Sequence, residues 1–283
     1  MNIMSGQEKP SKEPTAATVR KFQKEIYSHY REHGRILPWR RTYDPYCVLV
    51  SEIMLQQTQV KRVLEKYGNF ITQFPDFASL AKAPLQIILS KWQGLGYNRR
   101  AIALKNIAQK VVNEFNGTLP TSVETLMTFP GIGKATAGAV AAFAYHQPTV
   151  FIETNIRRVY IHQFFQDKEN ITDSAILPLV EKTLDISNPR EWYYALMDYG
   201  VMIKEKYENP NKRSAHYSKQ SPFEGSNRQI RGMILRLLIH ESGLSKSKII
   251  QKTHKDEKKI ETILVQLINE GFIKKRRGTF SLT

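Results

Sequence analysis

Apolar residues recur every three to four positions along most of the chain, and Pro and Gly residues interrupt the pattern. Residues 66–95, KYGNFITQFPDFASLAKAPLQIILSKWQGL, are typical of this spacing. Such a period places apolar side chains on one face of an α-helix. Strand-like alternation is scarce before the C-terminus, so the pattern predicts a mainly helical protein.

The pattern changes at residues 209–226, NPNKRSAHYSKQSPFEGS, which are polar and rich in helix-breaking residues. Stretches of this kind usually connect packed units, and we place a domain boundary near Gly225. The aromatic residues Tyr217 and Phe223 predict that this linker packs against the neighbouring helices.

Residues 226–283 predict a further small domain. The segments RQIRGMILRLLIHESG, SKSKIIQKTH and DEKKIETILVQLINE are typical of three helices, and the remaining residues are typical of a hairpin. This order is that of a winged helix, with a reading helix that starts near Asp256 and a wing at residues 274–280. Winged helices bind DNA or dock proteins, and the pattern leaves both roles open.

The charge balance points to a polyanionic partner. The 283 residues carry 42 Lys and Arg against 26 Asp and Glu, a formal charge of +16. From Lys204 onward the counts are 18 and 8, so much of the excess lies near the C-terminus. Excess positive charge favours DNA or RNA through counterion release, although a basic surface without a partner is the alternative.

The N-terminus and the cysteine content argue against a secreted protein and against a protein built around disulfides or a cysteine-ligated metal cluster. Residues 1–18 are polar and lack the apolar segment of a signal peptide, which predicts a disordered tail and a cytoplasmic protein. No stretch approaches twenty uninterrupted apolar residues. Cys47 is the only cysteine, so this chain alone forms neither a disulfide nor a cysteine-ligated metal cluster.

A turn rich in glycine separates two helical stretches in ETLMTFPGIGKATAGAVAAFAY. Gly131 and Gly133 allow the backbone to approach a ligand closely, and the helix that opens near Lys134 directs its first N–H groups outward. A phosphate suits such a site. An ordinary turn between two helices is the alternative.

Five motifs in this order resemble the MutY-type adenine DNA glycosylases of the helix-hairpin-helix base-excision superfamily. They are Leu37–Arg41, Asp44–Val60, Gln93–Ala101, the PGIGKATAGAV hairpin and Glu153–Val159. The resemblance covers roughly residues 20–205 and implies base flipping followed by cleavage of an N-glycosidic bond.

The resemblance implies a mainly α fold, a two-lobed helix-hairpin-helix DNA glycosylase, to which the residue pattern adds a C-terminal winged-helix-like domain. The expected parts are a tail at 1–18, a discontinuous helical lobe at 19–33 and 150–208, a six-helix lobe with the hairpin at 34–149, a linker at 209–225 and the winged-helix-like domain at 226–283.

Two carboxylates are the expected catalytic residues. Glu52 matches the family's general acid, which protonates the purine, and its apolar neighbours predict an elevated pKa if it points inward. Glu153 lies where the family has the aspartate that stabilises the oxocarbenium-like sugar. Its extra methylene leaves three alternatives: a working site with shifted geometry, a different substrate or weakened catalysis.

The residue at position 135 bears on strand cleavage. Relatives that also cut the DNA backbone carry a lysine there to form a Schiff base, whereas this chain has Ala135. On a helix, Lys134 points about 100° away from that position. The resemblance therefore implies a monofunctional glycosylase without lyase activity.

The resemblance also assigns recognition residues. Gln56 and Gln57 match the wedge that fills the stack where the base leaves, and Tyr97 matches a residue that contacts the opposite base. A second tyrosine of the family is replaced by Asn98. The remaining assignments are Arg40 and Asn155 in the base pocket, and Pro130, Gly131, Ile132, Gly133 and Lys134 in the phosphate-binding hairpin, which in the family often holds a monovalent cation.

Two features of the family are missing from the sequence. The four cysteines of an iron–sulfur cluster are absent, so no cofactor is expected and residues 209–225 are expected to replace the cluster loop. A winged-helix-like unit occupies the place of the domain that reads 8-oxoguanine. The expected partner is double-stranded DNA with a mismatched or damaged base, bound by a monomer.

Three functional interpretations remain open from the sequence. The first is excision of adenine opposite guanine or 8-oxoguanine. The second is excision of thymine or uracil mispaired with guanine, which Glu153, Asn98 and the missing lesion-reading domain favour. The third is a catalytically weak protein that senses mismatches.

Overall fold

The structure is a computed structural model that describes residues 13–283, and these residues are mainly helical, as predicted. The helices are α1 Ala16–His33, α2 Pro45–Leu55, α3 Val60–Gln73, α4 Phe77–Lys82, α5 Leu85–Trp92, α6 Arg99–Glu114, α7 Val123–Met127, α8 Lys134–Tyr145, α9 Thr154–Phe164, α10 Asp173–Thr183, α11 Pro189–Lys206, α12 Asn227–His240, α13 Lys246–Thr253 and α14 Glu257–Asn269. The strands are β1 Leu244–Ser245, β2 Ile273–Arg276 and β3 Thr279–Leu282, and short 3₁₀ turns occupy Pro38–Arg40 and Pro210–Arg213.

The first helix begins inside the predicted tail. The Thr15 side chain accepts a hydrogen bond from the backbone of Thr18 and so caps α1. The prediction of a disordered tail is therefore wrong for Ala16 to Thr18, because a capped amphipathic helix starts there. The rest of that prediction falls largely on residues 1–12, which lie outside the described residues.

The chain divides into two compact units. The first contains residues up to Val48, Thr121–Thr128 and Ile132–Lys219, and the second contains Leu49–Pro120, Phe129–Gly131 and Gln220–Thr283. These boundaries differ from the predicted lobes, since α8 and residues 34–48 belong to the first unit rather than to a lobe spanning 34–149.

Aromatic packing explains why α8 belongs to the first unit. Phe143 of α8 stacks on Tyr194 of α11 at 4.4 Å between ring centroids, and Gly138 leaves room for Phe151. Phe22 of α1 packs edge-on against Trp192 of α11 in the same core. Nearly every residue of α8 after Thr136 is buried, so this helix can only be an interior element.

The second unit includes the C-terminal domain. Its three helices and terminal hairpin follow the predicted order, and the strands form an antiparallel sheet in the order β1-β3-β2. Arg277 and Gly278 form the hairpin turn with φ of 47° and 80°, values typical of a type I′ turn. α12 packs against α5, where Gln86 donates to the carbonyl of Ile239 at 2.8 Å.

The segment expected to replace the cluster loop packs through residues other than those predicted. Tyr217 and Phe223 are 44% and 61% exposed, so the prediction that they hold it is wrong. Arg213 instead donates to the carbonyls of Phe165 and Gln166, and the buried Asn211 donates to the carbonyl of Thr154. Hydrogen bonds to carbonyls, rather than aromatic burial, thus hold residues 211–213 within the first unit.

A search of the described helices finds none that is long and apolar enough to cross a membrane. Within residues 13–283, no group of three or more His, Cys, Asp and Glu side chains could hold a metal ion.

Candidate active site and DNA-facing surface

Glu52 lies on α2, three residues before the helix ends at Leu55. Its side chain is half-buried, whereas its neighbours Ser51 and Ile53 are buried. The apolar character of α2 thus places one carboxyl group at the margin of the core of the second unit. A carboxyl group at that depth is partly shielded from bulk water.

Glu153 is the N-cap of α9 in the first unit. One oxygen of its carboxylate accepts hydrogen bonds from the backbone N–H groups of Asn155 and Ile156 at 2.7 and 2.8 Å. Burial raises the pKa of Glu153, and these bonds together with Arg158 and Arg157 only partly oppose that shift. The helix terminus therefore fixes the direction of a carboxyl group that burial makes reluctant to ionise.

Asn155, predicted from the resemblance as a base-pocket residue, contacts Glu153. Its amide nitrogen donates to the second carboxylate oxygen of Glu153 at 3.2 Å, and its amide oxygen accepts from Arg158 at 2.7 Å. Gly200 of α11 allows this arrangement, because a Cβ there would lie 2.6 Å from the carbonyl oxygen of Asn155. Asn155 thus orients Glu153.

Arg40 forms an ion pair in the first unit. Its guanidinium nitrogens donate to both oxygens of Asp198 at 2.8 and 2.7 Å, and its guanidinium carbon Cζ lies 4.5 Å from the ring centroid of Tyr194. Burial would raise the pKa of Asp198, but the bonds from Arg40 and Arg35 outweigh it and lower that pKa. The ion pair with Asp198 gives Arg40 a structural role, in addition to the role in the base pocket that the resemblance predicts for it.

Two residues of the second unit that were expected to contact DNA have strained backbones. Gln57 and Tyr97 have φ of 51° and 47°, in the left-handed region. Asn and His tolerate that region better than other side chains, whereas Gln and Tyr are not enriched there. Strain of this kind is often kept where it serves a function. Gln57 is exposed and Tyr97 is half-buried.

Arg100 holds the segments that carry these two residues. Its guanidinium donates to the carbonyls of Ile53 at 2.9 Å and Met54 at 2.8 Å at the end of α2, and to the carbonyl of Gly96 at 3.1 Å. It also donates to the carbonyl of Gln56 at 2.5 Å and the hydroxyl of Thr58 at 2.8 Å. Burial lowers the pKa of Arg100 to about 10.

The sequence analysis assigned no role to Arg100, although it lies in the motif at Gln93–Ala101. The signal was available, since an arginine just after a glycine-rich turn can satisfy carbonyls that the turn leaves unpaired. The sequence alone did not show which segment supplies these carbonyls, because that segment lies more than forty residues earlier in the chain.

The hairpin lies between α7 and α8, with Gly131 at φ of 78° and Gly133 as the N-cap of α8. Gly133 has no side chain to cap the first N–H groups of α8, and Lys134 beside it is exposed. These features suit an anion. In the second unit, the Gln56 side chain donates to the carbonyl of Gly131 at 3.1 Å, which joins the wedge segment to the hairpin turn.

Comparison with known proteins places this geometry in a family. Residues 50–184 match the HhH-GPD superfamily of base excision DNA repair proteins. An adenine DNA glycosylase of Mycolicibacterium smegmatis is 33% identical over 232 residues, which cover 76% of this chain and 79% of that protein. The chain belongs to the HhH-GPD superfamily. The resemblance expected from the motifs is thus confirmed.

Other relatives differ in how much of their length this HhH-GPD protein covers. The adenine DNA glycosylase of Buchnera aphidicola from Baizongia pistaciae is 38% identical over 187 residues, which cover 64% of this chain but about half of that protein, 52%. A solved thermostable thymine-DNA glycosylase is 25% identical, with a TM-score of 0.60 over 69% of this chain and 91% of that one.

The match to the HhH-GPD superfamily includes both carboxylates. Glu52, Gln57, Tyr97, Arg100 and Glu153 all lie within residues 50–184. The C-terminal domain lies outside this range, so its role must be argued from this chain alone.

Proposed function

We propose that this protein is a monofunctional DNA glycosylase that excises adenine mispaired with guanine or 8-oxoguanine, acting as a cytoplasmic monomer on double-stranded DNA. The observation that carries the proposal is the similarity to adenine DNA glycosylases across 76% of the chain, together with a glutamate at each of the two catalytic positions. The net charge of +16 supports a DNA partner.

The proposed reaction is hydrolysis of the glycosidic bond. Glu52 donates a proton to the flipped adenine, which makes the base a better leaving group. The bond between the base and C1′ of the sugar then breaks, and the carboxylate of Glu153 stabilises the positive charge that develops on the sugar. A water molecule adds to C1′ and loses a proton, which leaves an abasic site and free adenine.

The remaining site residues hold the DNA in this proposal. The hairpin from Pro130 to Lys134 binds a phosphate, and its backbone carbonyls would hold a monovalent cation. Gln57 enters the stack where adenine leaves, and Tyr97 contacts the base opposite. The positive φ of Gln57 and Tyr97 supports these roles, because strained backbone of this kind is often kept where it serves a function.

Neither a lyase step nor an iron–sulfur cluster is part of the proposal. Position 135 carries alanine, so the amine required for a Schiff base is missing there. The four cysteine ligands of the family's cluster do not fit this chain, whose single cysteine lies on α2. No step is assigned to a metal.

Thymine or uracil mispaired with guanine is the second candidate substrate. The specific observation that favours it is the structural similarity to a thermostable thymine-DNA glycosylase over 91% of that chain. Glu153 in place of aspartate and Asn98 in place of a second tyrosine also favour a departure from adenine.

The test is a set of duplexes that each carry one mispair: A opposite 8-oxoguanine, A opposite G, T opposite G, or U opposite G. After incubation with the protein, alkali converts abasic sites into strand breaks. We expect breaks at A, and none without alkali. Selective cutting at T or U supports the second candidate, and selective binding without cutting supports a mismatch sensor.

Variants test the chemistry within the same assay. We expect Glu52→Gln to abolish cutting, whereas Glu65→Gln, an exposed glutamate on α3, serves as the matched control and cuts normally. Normal cutting by Glu52→Gln contradicts the assignment of the acid. Strand breaks without alkali, or borohydride trapping at Lys134, contradict the monofunctional proposal.

A further inference from the structure

The hydroxyl of Tyr97 is held by residues from beyond the superfamily match. Arg228, the second residue of α12, donates to this oxygen at 3.1 Å, and Gln220 also donates to it. A second guanidinium nitrogen of Arg228 donates to the carbonyl of Ser221 at 2.6 Å, which fixes the direction of the arginine. All four residues belong to the second unit.

A phenol oxygen that accepts two hydrogen bonds keeps its own proton available for a third partner. Tyr97 can therefore donate to an acceptor on a base edge while Arg228 and Gln220 hold its oxygen. Guanine and 8-oxoguanine present different sets of donors and acceptors, so the direction of this proton matters for distinguishing them.

A second set of hydrogen bonds holds Arg99, which follows Asn98 in the same segment. Arg99 donates two hydrogen bonds to the carboxylate of Glu270 at 2.8 and 2.7 Å, and Arg231 donates two more at 3.0 and 2.6 Å. The hydrogen bonds from Arg99 are the main reason that the pKa of Glu270 is lowered to about 2. This carboxylate is therefore charged at neutral pH. The C-terminal domain thus holds the turn at positions 97 and 99.

We propose that the C-terminal domain sets the selectivity for the opposite base by positioning Tyr97, with Arg228 and Glu270 as positioning residues. The inference depends on the proposed function, since it assumes that Tyr97 faces the base opposite the excised one. Tyr97 needs such support all the more because Asn98 replaces the family's second tyrosine. An aromatic ring at position 98, which could hold the Tyr97 ring by stacking, is therefore absent.

The test measures single-turnover excision of adenine opposite guanine and opposite 8-oxoguanine. We expect Arg228→Gln and Tyr97→Phe each to change the ratio of the two rates by about tenfold, the size expected for a hydrogen bond to a charged group. In a protein that already carries Tyr97→Phe, adding Arg228→Gln should not change the ratio further. The hydrogen bond between Arg228 and the Tyr97 hydroxyl is already absent from that protein. Arg236→Gln, an exposed arginine on the same helix, is the control.

Several outcomes separate the inference from the proposed function. If wild-type protein cuts neither adenine duplex, the proposed function fails. If it cuts both and neither Arg228→Gln nor Tyr97→Phe changes the ratio, the inference alone is overturned. Equal slowing on both duplexes with a shallower salt dependence also overturns it, because the domain would then only add DNA affinity. Tyr97→Phe removes one hydroxyl, so it tests the idea even if Arg228→Gln fails to fold.

Discussion

The two units hold their functional residues in opposite ways. In the first unit, Glu153 is fixed by the backbone of its own helix, within three residues of its position. In the second unit, Gln57 and Tyr97 are presented on strained backbone and depend on side chains from elsewhere in the chain, such as Arg100 and Arg228. In the proposed function Glu153 stabilises charge, and such a group works best when it is desolvated. Gln57 and Tyr97 are proposed to contact DNA, which requires them to stay accessible and to have rigid support.

Among changes to the residues that the two units hold differently, the largest effect is expected from Glu153→Gln. This change keeps an oxygen that can cap α9 but removes the negative charge, so we expect excision to slow on the order of 10³-fold. In the wild type, activity should fall as the pH decreases through the elevated pKa of Glu153, because protonation removes the same charge. Single-turnover rates measured across a pH series check both expectations.

Stability should respond to Glu153→Gln in the opposite direction. The elevated pKa means that the folded state favours the protonated carboxyl group, so ionisation of Glu153 at higher pH costs stability. We expect the variant to melt at a higher temperature than the wild type at pH 8, with the difference shrinking toward pH 4. A variant that is less stable at pH 8 contradicts the view that burial dominates at this site.

An intermediate effect is expected from Arg100→Met. The change leaves several carbonyls at the end of α2 and in the Gly96 turn without their donor, so we expect a loss of roughly 3 kcal/mol in the free energy of unfolding. Displacement of the end of α2, the helix that carries Glu52, together with the wedge should also slow excision about 100-fold. Urea denaturation and single-turnover rates provide the measurements.

Arg62→Met is the control for Arg100→Met, because Arg62 is an exposed arginine on α3 of the same unit. If both variants lose equal stability and activity, the carbonyl bonds of Arg100 do not support the wedge.

The smallest effect is expected from relieving the strain at Gln57. Gln57→Gly and Gln57→Ala both remove the wedge side chain, and each should slow excision about tenfold. Only glycine adopts positive φ without strain, so we expect Gln57→Gly to be about 1 kcal/mol more stable than Gln57→Ala. Thermal denaturation compares the two, and equal stabilities would mean that position 57 carries no strain.

The sequence by itself determined the helices and the chemistry. The period of apolar residues predicted a mainly helical fold, and the helix predicted to start near Asp256 begins there in the structure, with Asp256 as its N-cap. The five motifs placed the two carboxylates and the hairpin, because each motif is short and its residues act within a few positions of one another.

Only the tertiary structure decided what supports the site. The bonds from Arg100 to the end of α2, and those from the C-terminal domain to Tyr97 and Arg99, join residues 44 to 171 positions apart, and no local pattern encodes such pairs. The unit boundaries and the packing of residues 209–225 were likewise mispredicted because they depend on which buried surfaces fit together. Local propensity acts along the chain, whereas shape and hydrogen-bond complementarity act only once distant segments meet.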